Sequence, residues 1–463
     1  MKSLARCLAS TVAPWLTITL AAAAGELDDY VHAPDHSFGL ALVSDDSTPA
    51  GRITRFTLQS QTWQGIRWIH DLKLYEIADA PHPETVLLFI TGGSTGSQAK
   101  PQDHAMAFAL AKACGGRVAV LPQVPNQPLY DGKKEDDLIS ETFLRYLDTK
   151  DPTWPLLLPM VKSAVRAMDA LQAFGERDGK PIKSFVVTGA SKRGWTTWLT
   201  AATQDPRVIA IAPMVIPTLN FHEQNPHQIE VWGQYSEQIA DYVSKGLMEK
   251  LETEDGKKLT RIVDPFFYLD RIKIPVLQIN GTNDRYWTLD SMNLFWPDIA
   301  APKAVVYLPN AGHGLDQHRD YAIKGVGAVF RHAATGRPLP AVSWEFTGTG
   351  NPSTRLDLRW TSGDSPKSAV LWSASAPTQD FREVKWEPSA EAKSLENGGA
   401  SLVWESQSKD PWRATFGDMT FEIEGLEYHL STLIQVVGPG AGTGPAKAPS
   451  PPSKSLPVSP GAP

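Results

Sequence analysis

Short apolar runs rich in Val, Ile and Leu recur along the first two thirds of the chain, at residues 85–90, 117–121, 184–188, 208–215, 275–280 and 304–308. Runs of that length without polar alternation suit strands buried on both faces of a parallel sheet. Patterns of helical period lie between them, at 104–114, 156–174, 192–203, 290–296 and 318–334. The longest tolerates Pro159 in its first turn and repeats apolar residues at Val161, Ala164, Val165, Met168 and Leu171. Strand and helix in alternation predict one α/β domain with a mainly parallel sheet, entered through an antiparallel hairpin at 52–77.

The period changes after Gly336, Arg337 and Pro338. Short strand-like stretches at 342–346, 354–360, 367–373, 381–387, 400–405, 412–416 and 427–437 are separated by turn residues, which predicts a small β-sandwich. Trp344, Trp360, Trp372, Trp386, Trp404 and Trp412 fall there and read as core aromatics of an Ig-like domain rather than as a carbohydrate-stacking face. The predicted units are therefore 25–337, α/β, and 338–437, all-β.

The two ends read differently from the middle. Lys2 and Arg6, an apolar stretch at 12–20 and Ala22, Ala23 and Ala24 predict a secretory signal over 1–24. The stretch is shorter than the ~20 residues of a spanning helix and is interrupted by Pro14, so no stable membrane insertion is expected after signal removal. Residues 438–463 carry eight Pro and five Gly and almost no large apolar side chain, which predicts a disordered tail. The expected location is secreted or periplasmic.

Composition narrows the partners. With 51 acidic against 44 basic residues the chain has a formal charge of −7, which gives no electrostatic case for nucleic acid. Loss of the signal would leave Cys114 as the one thiol, on an apolar helical pattern, so no internal disulfide is expected.

The most informative segment is 184–199, SFVVTGASKRGWTTWL. A strand ends near Thr188, Gly189 and Ala190 lead to Ser191, and Lys192 begins a helix. A tight strand-to-helix turn lifts the serine hydroxyl above the sheet and makes the Lys192 amide a natural oxyanion donor. The usual pattern has glycine two residues after the serine; here that position is Arg193 and Gly194 follows it. Lys192 and Arg193 either place positive charge beside the oxyanion or face solvent. Asp284 lies just past the strand at 274–280, and His313, between Gly312 and Gly314, just past the strand at 304–308. Nucleophile, acid and histidine thus follow in α/β-hydrolase order at the carboxyl ends of strands. His313 would take the Ser191 proton and Asp284 would hold the imidazole ring. The second oxyanion donor is expected from Gly93 or Ser94, in the glycine-rich loop after the strand at 85–90.

GASKRGWTTWL, the stretch DPTWPLLLPMVKSAVRAMDALQAF at 151–174 and IPVLQINGTNDRYW at 274–287 together resemble the PhoPQ-activated pathogenicity-related protein family. The resemblance spans roughly residues 30–437. It implies an exported protein of α/β-hydrolase fold, in a family linked to bacterial virulence and resistance to antimicrobial peptides, and implies no defined substrate. The serine turn also resembles that of glucuronoyl esterases, with Ser191, Lys192 and Gly194 matching.

Residues 216–264 interrupt the alternation and are expected to form a cap over the nucleophile. Trp287, His222 and Trp232 are the candidate substrate-binding residues; Trp195 reads as packed core. His222 and His227 are five apart with Pro226 between them, which does not fit a zinc-protease helix, and no metal or other cofactor is expected. The charge run at 130–137 reads as a solvated loop that its place after a strand would allow to border the site. The function expected is a serine hydrolase acting on a small-molecule ester. A peptide substrate is the alternative within enzymes, and a secreted binding or signalling protein without turnover is the alternative outside them.

Overall fold

The apolar runs form strands whose side chains are buried on both faces: Val86, Leu87, Leu88 and Ile90 in one, Phe185, Val186 and Val187 in the next. The computed structural model describes residues 25–348, 353–360, 365–392, 395 and 398–439. The expected signal, and the expected tail beyond Pro439, lie outside the described residues.

The main sheet is built from β1 (Gly39–Thr48), β2 (Gly51–Trp63), β3 (Ile66–Glu76), β4 (His82–Ile90), β5 (Gly116–Leu121), β6 (Ser184–Ala190), β7 (Val208–Met214), β8 (Val276–Gly281) and β9 (Lys303–Leu308). Their order in space is β1-β2-β3-β5-β4-β6-β7-β8-β9. The entry ribbon through β3 is antiparallel, and every pairing from β5 to β9 is parallel. This is the strand order of the α/β-hydrolase fold, mixed but mainly parallel.

Helices cover both faces. After a short α1 (Glu26–His32), α2 (Pro101–Cys114) packs with the late helix Arg319–Thr335 on one side, while α3 (Glu135–Thr149), α4 (Leu157–Arg177) and α5 (Lys192–Ala202) follow in the chain and α4 packs with α5 on the other. Helix α3 has no counterpart in the sequence pattern, because its first turn is the charge-rich run that reads as loop. Cys114 is a buried free thiol at the end of α2, and burial pushes its ionisation well up.

Between β7 and β8 the cap contains α6 (Phe221–Trp232), α7 (Ala240–Val243), α8 (Leu247–Leu251) and α9 (Glu254–Val263). One side chain ties its two stems together. Asp264, fully buried, accepts from the amides of Asn220 (3.2 Å), Phe221 (2.8 Å) and Phe266 (2.9 Å). The expected helix at 290–296 is instead two short 3₁₀ turns, Ser291–Leu294 and Trp296–Asp298, and Arg319–Thr335 is α10.

The C-terminal strands are β10 (Val342–Thr347), β11 (Ser353–Trp360), β12 (Ser368–Ala376), β13 (Glu387–Glu391), β14 (Gly399–Glu405), β15 (Trp412–Ile423), β16 (Leu426–Ser431) and β17 (Gln435–Val437). β10, β11 and β14 make a separate small sheet. The others extend the main sheet, because β16 docks on the free edge of β9 through Ser431 and Val305, and the Tyr307 amide donates to Ser431 Oγ at 3.0 Å. An edge strand that would otherwise invite pairing with another chain is thereby covered. The stretch at 381–387, expected as a strand, is irregular from Phe381 to Trp386. Its carbonyls are taken by side chains of the main domain.

Burial pushes the Asp264 carboxyl from its ordinary 3.8 up to about 7, against the pull of its three amide donors. A raised folded-state value stabilises the fold fully below pH 4, and that contribution is lost as pH rises through about 7. Asp264→Asn lacks this titration. The stability gap between wild type and Asp264→Asn, read from urea unfolding, should narrow from pH 4 to pH 7; a constant or widening gap would contradict the assignment.

Candidate active site

Ser191 sits between β6 and α5 with φ 56° and ψ −125°, a backbone conformation that costs a non-glycine residue about 1–3 kcal/mol. Its amide donates to the Met214 carbonyl at 2.9 Å, and its own carbonyl accepts from the Trp195 amide at 2.9 Å. The turn is held between the end of β7 and the first turn of α5. The next residue along β7, Val215, is also left-handed at φ 47°, unusual for a β-branched side chain.

Gly194 explains why glycine falls three places after the serine rather than two. A Cβ there would lie 2.8 Å from both the Met214 carbonyl oxygen and Ile216 Cγ2, so the close approach of helix to strand is made at this position. Position 193 is then free to carry a long side chain. Arg193 is 8% exposed and makes a two-pronged pair with Glu135, Nη1 to Oε2 at 2.7 Å and Nη2 to Oε1 at 2.8 Å; its Nε donates to the Val124 carbonyl at 2.6 Å. The guanidinium fills the place a side chain at Gly92 would need, since a Cβ on Gly92 would lie 2.5 Å from Arg193 Nη2.

The network continues toward the candidate oxyanion loop. Gln127 Nε2 donates to Glu135 Oε1 at 2.6 Å and reaches the Gly93 carbonyl at 3.5 Å, and the Thr95 amide donates to the Gln127 carbonyl at 2.7 Å. Among the described residues the amides of Gly93, Ser94 and Lys192 have no hydrogen-bond acceptor. Burial pushes the Glu135 carboxyl up, but the hydrogen bonds and charge of Arg193, with help from Gln127 and Lys192, outweigh it and hold it at about 2. Lys192 Nζ donates to Asp136 Oδ2 at 2.9 Å. The expectation that Lys192 and Arg193 offer charge to the oxyanion or face solvent is therefore corrected: both are buried and committed to carboxylates at the start of α3. Glu135 and Asp136 lie in the charge run that reads as a solvated loop able to border the site, and Asp136 does line the Ser191 cavity; their pairing with Arg193 and Lys192 was not foreseen. The available signal was two acids at a helix start matching two cations at another helix start.

Asp284 and His313 meet past the ends of β8 and β9. Asp284 is buried; its Oδ2 accepts from His313 Nδ1 at 2.7 Å, and its Oδ1 accepts from the Tyr286 amide at 2.8 Å. The Tyr286 ring stacks on His313 with centroids 4.1 Å apart, a contact the sequence did not signal. His313 Nε2 is buried without a partner, and no hydrogen bond joins it to Ser191 Oγ. Ser191, Tyr286 and Trp287 nevertheless border one cavity, and Ala190 and His313 border another.

A strap from the C-terminal unit crosses both loops. Asn283 Nδ2 donates to the Val384 carbonyl at 2.7 Å and the Arg382 carbonyl at 3.2 Å. Asn310 exchanges two hydrogen bonds with Trp386, at 3.0 and 2.7 Å. Arg382 pairs with Asp380 and Glu237 and covers the Trp232 ring at 4.2 Å, while Arg285 pairs with Glu237 and Glu383.

The three candidate substrate-binding residues separate. Trp287 borders the Ser191 cavity. Trp232 borders a small recess beside Asp284, under Arg382. His222 is not brought to the serine; it is largely exposed, 3.6 Å from Glu252, on a different cavity of the cap. His227 pairs with Asp290 at 2.8 Å. Trp195 donates to the Val263 carbonyl and also walls the Ser191 cavity. Among the described residues no group of three or more His, Cys, Asp or Glu is placed to hold a metal ion, and no helix is long and apolar enough to cross a membrane.

A family model described as PhoPQ-activated pathogenicity-related protein matches residues 27–382. The chain is 33% identical over 423 residues, 84% of each chain, to the Autocrine proliferation repressor protein A of Dictyostelium discoideum. Among solved structures it is similar to an acetyl xylan esterase from Paenibacillus sp. R4, at 16% identity and TM-score 0.44, covering 65% of this chain and 90% of that one. An S-formylglutathione hydrolase from Agrobacterium tumefaciens matches at 14% identity and TM-score 0.39, covering 64% and 98%.

Removing the Glu135 carboxylate strands a buried guanidinium, a loss that costs about 3–5 kcal/mol when a pair is fully buried. Because 39% of the Glu135 side chain is exposed, Glu135→Ala should sit near the low end, about 3 kcal/mol, in equilibrium urea unfolding. A change below about 1 kcal/mol, as surface pairs give, would show that the pair is not structural.

Proposed function

The chain belongs to the PhoPQ-activated pathogenicity-related protein family, and we propose that it is an exported serine hydrolase that cleaves an ester by way of an acyl-enzyme. The observation that carries this reading is the Asp284–His313 hydrogen bond at Nδ1, which fixes the ring and leaves Nε2 without a partner and available as a base.

Ser191 Oγ attacks the substrate carbonyl carbon while His313 Nε2 takes its proton. Asp284 keeps the ring oriented and stabilises the imidazolium. Negative charge on the carbonyl oxygen is received by the amides of Lys192 and of Gly93 or Ser94, donors that need no reorganisation because the Arg193–Glu135–Gln127 network holds their two loops together. His313 returns the proton to the leaving oxygen, and water repeats the sequence on the acyl-enzyme. The absent Ser191–His313 hydrogen bond agrees with sites whose catalytic hydrogen bonds tighten only when substrate is bound. Residues 216–264 wall the Ser191 cavity, the strap at 379–386 borders the recess beside Asp284, and export rests on the signal-like sequence at 1–24.

The name of the Dictyostelium discoideum relative favours a second reading, a secreted binding or signalling protein that retains the scaffold without turnover. Labelling with a fluorophosphonate separates the two. Wild type should label once, at Ser191, and Ser191→Ala should not label. Asp284→Asn should fold normally and lose about 10⁴-fold in turnover of an activated ester. Equal labelling of wild type and Ser191→Ala, or none of either, would refute the nucleophile.

A further inference from the structure

Two cavities reach the candidate catalytic residues, one bordered by Ser191 and the other by His313. One, of about 70 Å³, lies beneath the cap and is walled by Ser191 together with Phe143, Trp195, Phe221, Met248 and Leu251. The other, of about 250 Å³, lies between α2 and α10 and is walled by His313 together with Met106, Leu110, Ala190, Ala322 and Ile323. Both are lined mainly by apolar side chains. The charged groups that border them are already matched: Lys192 with Asp136 in the first, Arg319 with Asp316 at the rim of the second.

Resting on the serine-hydrolase reading, we infer that the substrate is an uncharged ester with two apolar arms, a short acyl arm under the cap and a larger alcohol arm between α2 and α10. The assignment of the arms follows from the chemistry. When the Ser191 Oγ–carbon bond forms and the carbon–alkoxy bond breaks, the acyl group stays attached to Ser191 and occupies the cavity that Ser191 lines. The departing alkoxy oxygen must collect its proton from His313 Nε2, so its substituent lies on the His313 side. Water then adds to the acyl carbon, the Ser191 Oγ–carbon bond breaks, and the carboxylic acid leaves with the proton balance restored through His313.

Charge and size set the specificity. An acidic acyl group such as a succinyl half-acid needs a cation, and both cations beside the serine, Lys192 and Arg193, are taken by Asp136 and Glu135. A carboxylate brought there would be buried without a partner. The cap cavity is the smaller of the two, so the acyl arm it takes is the shorter one. Within that limit each added methylene should raise kcat/KM about threefold to fourfold.

The test uses the full chain and two ester series, one varying the acyl group from acetyl to octanoyl on a fixed alcohol, the other varying the alcohol from methyl to naphthyl on a fixed acyl group. A hemisuccinate ester, which keeps a free carboxylate on its acyl group, and a cationic peptide serve as charged controls. Expected are an acyl optimum short of octanoyl, a rise with alcohol size, and charged controls slower by roughly a hundredfold or more. Met248→Trp should shorten the preferred acyl chain and leave the alcohol order unchanged; Ala322→Phe should do the reverse. The wild-type series decides the matter even if either variant fails to fold. Flat series, or preference for a charged control, with Ser191 still labelled by a fluorophosphonate would overturn the two-arm inference and leave the hydrolase reading standing. Absence of Ser191 labelling would overturn both.

Discussion

The Arg193–Glu135 pair is the interaction on which the rest of the site depends. It joins the first turn of the serine helix to the first turn of α3, and through Gln127 it reaches the loop that carries Gly93 and Ser94. Bidentate charge-assisted hydrogen bonds fix direction as well as distance, which a lysine at position 193 would not do. Three features follow from accommodating that guanidinium. Gly92 has no side chain, the helix meets the strand at Gly194 instead of at position 193, and Glu135 stays ionised at any ordinary pH.

Around this rigid centre, mobile-looking connections are pinned from outside. The cap is closed at its base by Asp264 and rests on α3 through Tyr242, whose hydroxyl donates to Asp136 at 2.9 Å, and Lys245, which donates to Ser140 Oγ at 2.6 Å. The acid and histidine loops are pinned by Asn283 and Asn310 to the strap before β13. The C-terminal strands therefore do two jobs at once: they seal the β9 edge of the sheet and brace the loops that hold Asp284 and His313.

Local patterns were legible in the sequence; long-range pairings were not. The strands at β4, β6 and β8 announce themselves because burial on both faces leaves a continuous apolar run, and the turn at Ser191 because the residues before and after it belong to different periods. The order of Ser191, Asp284 and His313 along the chain places all three past strand ends. Glu135 escaped because a run of charges reads as solvated unless its partners are known, and Arg193 lies 58 residues away. The same limit applies to the strap: Val384 and Trp386 alternate as a strand would, but their backbone is drawn into the main domain by two asparagines. His222 was placed by chain position alone, whereas Tyr286, two residues past Asp284, reaches His313 through a turn that the Asp284 carboxylate itself stabilises.

On the proposed reading the serine turn, the histidine and the two loop amides form one catalytic unit. A crystal structure of the protein after reaction with a small organophosphonate tests it most directly. Expected are phosphorus bonded to Ser191 Oγ, its free oxygen about 2.7–3.1 Å from the Lys192 amide and from the amide of Gly93 or Ser94, and His313 Nε2 turned to the adduct. An adduct on another residue, or one on Ser191 whose oxygen points away from both amides, would contradict it.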